Sequence, residues 1–545
     1  MQTPIVNCLR ALVWMLIAFG VLLMSGMRPT ISAWMSGPPA WTPVDPSSTA
    51  QTSGTSQHKP FPCLSYAPFR QPDWRPDMAG LIIPADVIEK DLAQIAAVSS
   101  CVRIYGTANG LDQAPHIARK LGLRVWLGVW LGSDISLNAA EMRRAVALLH
   151  TEAGAANASI ERVIVGSEVL LRGDLTVPEL LDYIRQMQQI TSIPVAYADV
   201  WEFWLKHAQA LGPQVDEAVI HILPYWENSP VALAAAADHV FDVWRRVEKA
   251  LAPLPVVVGE TGWPAAGRQR GGARPVVSEQ RQFINDVLRR HDQMPDGSGI
   301  RLNIIEAFNQ PWKAASEGVA GSAWGVLLHP PCALMSPVWM LAGLLCVTCL
   351  AICMGASRLG TAVFPFALTA LVGLSSLWLS LLMIVPLQEW LGLDAASPAG
   401  LIRAAAMVFF WAWSVMEARA LLPLACQAGV SSGPSVSSRM VLRETGLWGV
   451  AVYTLMLVQD GRYMDLAWPL LAMPALPWAL RVWGGGIVDM RARWAVARAG
   501  LLAGSSVAIV QVEGWGNGAA VTVAMLVLLL AVTSVKQAPE LSVSS

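Results

Sequence analysis

Hydrophobic and polar positions along this chain alternate in three different ways, and each predicts a different kind of structure. Residues 11–27 are almost continuously apolar after Arg10, and the Pro/Ser/Thr-rich stretch that follows has neither a helical nor a strand period. The run sits at the lower end of the about 17–25 residues that span a bilayer. No small-x-small cleavage pattern follows closely, so the pattern favours an uncleaved transmembrane anchor over 1–28 rather than a signal peptide. Residues 29–60 then read as a flexible linker.

Between 63 and 328 the pattern changes to short β-rich apolar runs separated by amphipathic stretches, as expected of βα units around a parallel sheet. Strands are predicted at 63–69, 101–106, 123–130, 161–168, 193–200, 217–225, 255–261 and 300–308. Helices are predicted at 86–99, where Asp86 and Glu89 suggest a capping box, and at 112–121, 138–153, 177–191, 201–211, 230–250 and 278–291. Eight strands in this length suit a (β/α)8 TIM barrel over 61–330, whose typical size is about 250 residues. An open doubly wound sheet is the alternative, but no Gly-rich phosphate loop follows the first strand.

After Pro337 apolar runs return. They predict an all-α polytopic domain over 337–536 with about seven transmembrane helices, near 338–355, 361–385, 402–424, 445–459, 465–482, 497–512 and 518–535. Arg10, Arg358, Arg439, Arg443, Arg481, Arg491, Arg493, Arg498 and Lys536 fall on one side of such a topology. The loops with Glu389 and Asp394, with Asp460, Arg462 and Asp465, and with Glu513 fall on the other. The positive-inside rule then makes both termini cytoplasmic, with a tail at 537–545, and puts the barrel on the outer face of a lipid bilayer. The overall 54% hydrophobic and 14% charged composition is therefore an average over unlike parts. A net charge of −1 removes any bulk electrostatic reason to expect nucleic acid as a partner.

Chemistry in a parallel barrel sits at the carboxyl ends of its strands. Glu168 ends the fourth predicted strand and Glu260 the seventh, each after an apolar run and a glycine, where amphipathic patterning does not put an acid. Paired carboxyls across a cleft are what glycoside hydrolysis needs, one protonating the leaving oxygen and one attacking the anomeric carbon or activating water. Arg103, Tyr105, Tyr66, Ser167, Tyr197, Asp199, Trp201, Tyr225, Trp226, Trp263, Glu306, Phe308, Trp312 and Lys313 lie at or near strand ends and are the candidate sugar-binding residues. Trp126 and Trp130, inside the third strand, read as barrel filling. No Cys/His spacing suits zinc, and no cofactor or metal is expected. Cys346, Cys349 and Cys353 read as apolar-helix filler. Cys63 and Cys101 begin adjacent strands, leaving a disulfide or two buried thiols open.

The segments SYAPF, CVRIYG, VIVGSEVLL, VVVGETGWPAAG and NIIEAFNQPWK, in this order, resemble the motifs of glycoside hydrolase family 17, the β-1,3-glucanase family, and in particular its bacterial membrane-anchored branch. The resemblance covers about residues 61–328. It implies a retaining (β/α)8 enzyme with Glu168 as acid/base and Glu260 as nucleophile, Tyr105 and Tyr225 lining the site, and Glu306 and Lys313 in its supporting polar network. It also implies Asn before the acid/base, where this chain has Ser167, so a contact to the sugar 2-hydroxyl is in doubt.

The expected function is a β-1,3-glucan glucanosyltransferase, with β-1,6 linkages or branches as products. It would sit in the bacterial inner membrane with the barrel on the periplasmic side, acting on nascent glucan beside a membrane glucan synthase. Plain β-1,3-glucan hydrolysis is the alternative, a non-catalytic glucan-binding or export scaffold a second, and a transporter built from the C-terminal spans a third.

Overall fold

The computed structural model describes residues 59–71, 74–153, 158–294, 300–327, 436–460 and 492–536, with isolated positions at 413, 464, 471, 475, 478 and 479. The chain divides into two compact units, Pro38–Pro330 and Met1–Gly37 with Pro331–Ser545.

The first unit is the expected barrel. Its strands are β1 (Leu64–Tyr66), β2 (Cys101–Ile104), β3 (Arg124–Val129), β4 (Ile160–Ser167), β5 (Val195–Val200), β6 (Glu217–His221), β7 (Val256–Thr261) and β8 (Arg301–Ile304). All pair in parallel in chain order, and β8 closes on β1 through Leu64 and Ile304. The helices are α1 (Ala85–Val98), α2 (Ala114–Lys120), α3 (Ile135–Ala153), α4 (Val177–Gln188), α5 (Trp201–Leu211), α6 (Leu233–Leu251), α7 (Val277–Asp292) and α8 (Ala314–Ser322). The expected box at Asp86 and Glu89 does not form: α1 follows Pro84 without a side-chain cap, and Asp86 instead pairs with Lys90 one turn on. The capping box lies at α4, where Thr176 and Glu179 satisfy each other's first-turn groups.

The period of two along each strand separates two cores. Val102, Ile104, Val125, Leu127, Val163, Val165, Val256 and Val258 point outward and pack with helix residues such as Ile88, Leu92, Val240 and Phe283. The opposite parity points into the barrel, where Trp126, Ile164, Ala196, Ala198, Val219 and Val257 gather with Cys63 and Cys101. Cys63 and Cys101 are joined in a disulfide at the amino-terminal end of β1 and β2. Trp126 fills the barrel as expected, with the Arg162 guanidinium over its ring and Arg162 donating to Glu217 at 2.5 Å.

In the second unit α9 (Val436–Asp460), α10 (Ala492–Glu513) and α11 (Gly518–Lys536) pack through Leu447, Val450, Leu502, Ile509, Val523, Val527 and Leu530. Thr454 and Ser505 bond across this core at 2.9 Å, and the buried Arg498 pairs with Glu444 at 2.5 Å. Among the described residues no helix is long and apolar enough to cross a membrane. The spans expected at 445–459, 497–512 and 518–535 fall in these three helices, so the helices do not themselves establish the expected transmembrane domain. The anchor at 1–28, the linker apart from residues 59 and 60, the tail and the spans at 338–355 and 361–385 lie outside the described residues, as do nearly all positions of 402–424 and 465–482.

Candidate active site

Two interruptions of the barrel register aim the paired glutamates. The β4–β5 pairing shifts between Ile164 and Ser167, and the β7–β8 pairing between Val258 and Thr261. Such bulges bend a strand and re-aim its side chains. Glu168 follows β4 with a left-handed φ of 55°, a conformation that costs a non-glycine residue on the order of 1–3 kcal/mol. The chain spends this strain on turning the Glu168 carboxyl over the barrel mouth.

A third interruption, between Ile220 and His221, ends β6 and puts a histidine between the glutamates. His221 Nδ1 lies 2.7 Å from Glu168 Oε1, and Nε2 lies 3.5 Å from Glu260 Oε1. One ligand-type atom from each of Glu168, His221 and Glu260 falls within 4.8 Å of the others. A carboxylate oxygen from each of the two glutamates within that distance is compatible with the roughly 5–5.5 Å carboxyl separation of a retaining glycosidase. These three residues have the donor types of a cation site, but a fixed guanidinium already faces two of them.

That guanidinium is Arg103, which points inward from β2 and is almost wholly buried. Its Nη1 donates to the Gly259 carbonyl at 2.7 Å, lies 3.3 Å from Glu260 Oε1 and lies 3.2 Å from His221 Nε2. Its Nη2 donates to Ser167 Oγ at 3.3 Å. The Tyr105 hydroxyl donates to Glu260 Oε1 at 2.8 Å and lies 3.0 Å from Ser65 Oγ, which in turn accepts from Asn303 Nδ2 at 2.7 Å. Glu260, 7% exposed, is held by two donors on one oxygen.

Burial pushes the Glu168 carboxyl up, but the hydrogen bond from His221 and the charges of His221, Arg172 and Lys313 outweigh it and hold the group below an ordinary glutamate. Behind the pair, Glu306 also has a left-handed φ, 57°, and accepts from Lys313 Nζ at 2.5 Å. Burial pushes Glu306 up to about 7, with Lys313 opposing and the charges of Glu317 and Glu260 adding to the rise. Glu317 is raised by burial and by the charges of Glu168 and Glu260, with Lys313 opposing. Asp199 is pushed up to about 6, first by burial and further by Glu168.

Of the residues expected from the sequence, Arg103, Tyr105, Ser167, Glu168 and Glu260 converge, with Glu306 and Lys313 as the next layer. Trp226, half-buried, stacks on Trp324 at 6.2 Å. Trp201 donates to Glu227 at 3.0 Å, and Trp312 donates to Gln310 at 3.1 Å. Five aromatics expected to bind sugar are instead packed away. Tyr66 donates to Asp91, Phe308 packs edge-on against Tyr66, Tyr197 donates to the equally buried Asp199, Tyr225 donates to the Arg268 carbonyl, and Trp263 donates to the Arg274 carbonyl. None of the five has an exposed face in this structure. Trp130 departs in the other direction: expected as filling, it is 46% exposed beyond β3 with the Arg172 guanidinium over its ring. His221, Ser65, Asn303 and Glu317 were not among the expected residues. For His221 the signal was strand parity, since Glu217, Val219 and His221 share the inward face.

Residues 63–325 match the BtgE/BtgC glycoside hydrolase domain. The barrel is an enzyme of the glycosidase or transglycosylase type. The chain is 27% identical to a glucan 1,3-beta-glucosidase of Candida albicans over 44% of its own length and 82% of that protein's. It is 23% identical to a probable glucan endo-1,3-beta-glucosidase of Aspergillus flavus over 47% of its length and 39% of that protein's. A solved family 17 β-1,3-glucanosyltransferase from Rhizomucor miehei is 26% identical, with a TM-score of 0.42, covering 50% of this chain and 96% of that one.

Proposed function

We propose that the barrel is a retaining β-1,3-glucan glucanosyltransferase that uses Glu168 as acid/base and Glu260 as nucleophile. The observation that carries this reading is the close approach of the two carboxylates, within 4.8 Å across His221. Glu260 attacks the anomeric carbon as Glu168 gives its proton to the departing glycosidic oxygen, leaving a glycosyl ester on Glu260. In the second half an acceptor hydroxyl attacks the anomeric carbon and gives its proton to Glu168, while the ester bond breaks and its electron pair returns to Glu260. A sugar acceptor bound beside the ester gains an effective concentration that water lacks, which is what turns a hydrolase into a transferase.

The setting is a bacterial inner membrane with the barrel in the periplasm, working on glucan as a synthase delivers it and making β-1,6 linkages or branches. The apolar composition of 337–536 and the distribution of its arginines support that setting, and the Cys63–Cys101 bond suits an oxidising compartment. Incubating the full-length protein with laminari-oligosaccharides, followed by mass and linkage analysis, tests the activity. Longer or branched products are expected, and shorter products alone would make it a hydrolase. Full activity in Glu260→Gln would remove Glu260 as the nucleophile, and no conversion of any laminari-oligosaccharide by the wild type would leave only a glucan-binding scaffold. Alkaline-carbonate extraction and protease protection of the barrel in spheroplasts test the membrane setting, with release into the soluble fraction counting against it.

A further inference from the structure

We propose that His221 is a positioning residue which, oriented by Arg103, holds Glu168 as the carboxylate base that the second half of a retaining cycle requires. The inference rests on the assignment of Glu168 as acid/base and adds a residue to it.

Arg103 Nη1 lies 3.2 Å from His221 Nε2 and holds that edge of the ring, while its two N–H groups face the Gly259 carbonyl and Glu260. An ionised carboxylate oxygen only accepts, so in the 2.7 Å contact between His221 Nδ1 and Glu168 Oε1 the ring N–H donates to Glu168. The orientation is fixed from both sides, because Arg103 is itself tied to the Gly259 carbonyl and Ser167, and the His221 ring is wholly buried. A donor on Oε1 stabilises the ionised carboxyl and leaves the other oxygen, Oε2, to exchange the proton with substrate. The charged and titratable groups around the pair are Arg103, Glu260, Asp199, Arg172, Lys313 and Glu317, and none of the carboxylates among them can donate to Glu168 when ionised. His221 therefore favours deglycosylation, in which the acceptor hydroxyl must lose its proton, at the expense of glycosylation, in which Glu168 must supply one.

Two substitutions separate the two ends of the ring. His221→Asn keeps an amide donor where Nδ1 reaches Glu168, and His221→Gln keeps an acceptor where Nε2 meets Arg103 but loses the donor. The readout is the basic limb of the pH profile of kcat/KM on laminari-oligosaccharides, which follows loss of the Glu168 proton. His221→Gln is expected to move that limb upward by on the order of one pH unit, while His221→Asn leaves it near the wild-type position. Equal limbs in both variants would overturn the inference. As a measurement that needs no His221 variant, the carboxyl infrared difference between wild type and Glu168→Gln, titrated with pH, should place Glu168 below the ordinary glutamate range of about 4.3. A midpoint at or above that range would overturn it equally. The two readings fail differently: full activity of Glu168→Gln would remove the acid/base assignment, whereas an inactive Glu168→Gln with an unmoved limb in His221→Gln would remove only the role of His221.

Discussion

The Arg103 guanidinium occupies space that Gly259 leaves open. Nη1 donates to the Gly259 carbonyl at 2.7 Å, and a Cβ on that glycine would lie 3.1 Å from the same nitrogen and 2.2 Å from Val219 Cγ1. The glycine preceding Glu260 is thus a packing requirement for the residue that orients Glu260. Gly259→Ala is expected to lower stability by about 1–3 kcal/mol and to reduce kcat at least about tenfold, because the barrel must shift to relieve the contact and Arg103 moves with it. Chemical denaturation and initial rates on laminari-oligosaccharides check this, and wild-type behaviour in both would show that the contact is easily relieved.

Arg103 reaches Gly259, Glu260, His221 and Ser167 at once because its nitrogens form a rigid fork. A lysine carries the same charge on a single nitrogen and cannot satisfy these partners together. Arg103→Lys should therefore fold while losing about 10²-fold or more in kcat/KM, the scale of a deleted active-site donor. Near-normal kcat/KM in a folded variant would mean that charge alone suffices.

Tyr105 makes the shorter of the two contacts to Glu260 Oε1, at 2.8 Å, through a chain that begins at Asn303 and passes through Ser65. Burial and the Glu260 charge raise the phenol well above its ordinary range, so it donates throughout the working pH. A hydrogen bond to a charged group contributes about 1.5–3 kcal/mol, so Tyr105→Phe is expected to lose about 10–100-fold in kcat/KM. An unchanged value would show that Arg103 alone holds Glu260.

Strand positions were legible in the sequence because every strand is outward-apolar against the helices, and Glu168 and Glu260 stood out as acids that this pattern cannot explain. His221 was hidden because the apolar run 217–225 reads as one strand ending at Tyr225, whereas β6 stops at His221 and the chain turns away. Aromatics near strand ends were harder still. Sequence puts Tyr66, Tyr197 and Trp263 at the barrel mouth but does not say whether a ring enters the cleft or the layer between strands and helices. That choice is made by partners distant in the chain, such as Asp91 for Tyr66 and Arg274 for Trp263.

The disulfide lies at the opposite end of the barrel from the glutamates, linking Cys63 and Cys101 across 38 residues. Closing such a loop stabilises a fold by about 2–4 kcal/mol, chiefly through the unfolded chain. Replacing both cysteines with serine should lower stability by that amount and leave kcat/KM at low temperature unchanged. A simultaneous loss of kcat/KM would mean that the barrel bottom controls the geometry of its mouth.

Glu306 gives the barrel a pH-dependent stability that can be read directly. Its folded carboxyl titrates at about 7, against an ordinary value of 4.5, because burial disfavours the charge more than Lys313 restores it. Below about 4.5 the carboxyl is protonated in both folded and unfolded chains, and its contribution is fully present. Between about 4.5 and about 7 the unfolded chain releases the proton while the folded one keeps it, so the contribution falls steadily, and above about 7 it is lost. Glu306→Gln retains a side chain of the same shape with no proton to release, and so removes this slope. Unfolding free energies measured at intervals across that window should therefore show the variant gaining on wild type as pH rises. Parallel curves would place the Glu306 carboxyl in an ordinary environment and detach it from the network that includes Lys313, Glu317 and Glu260.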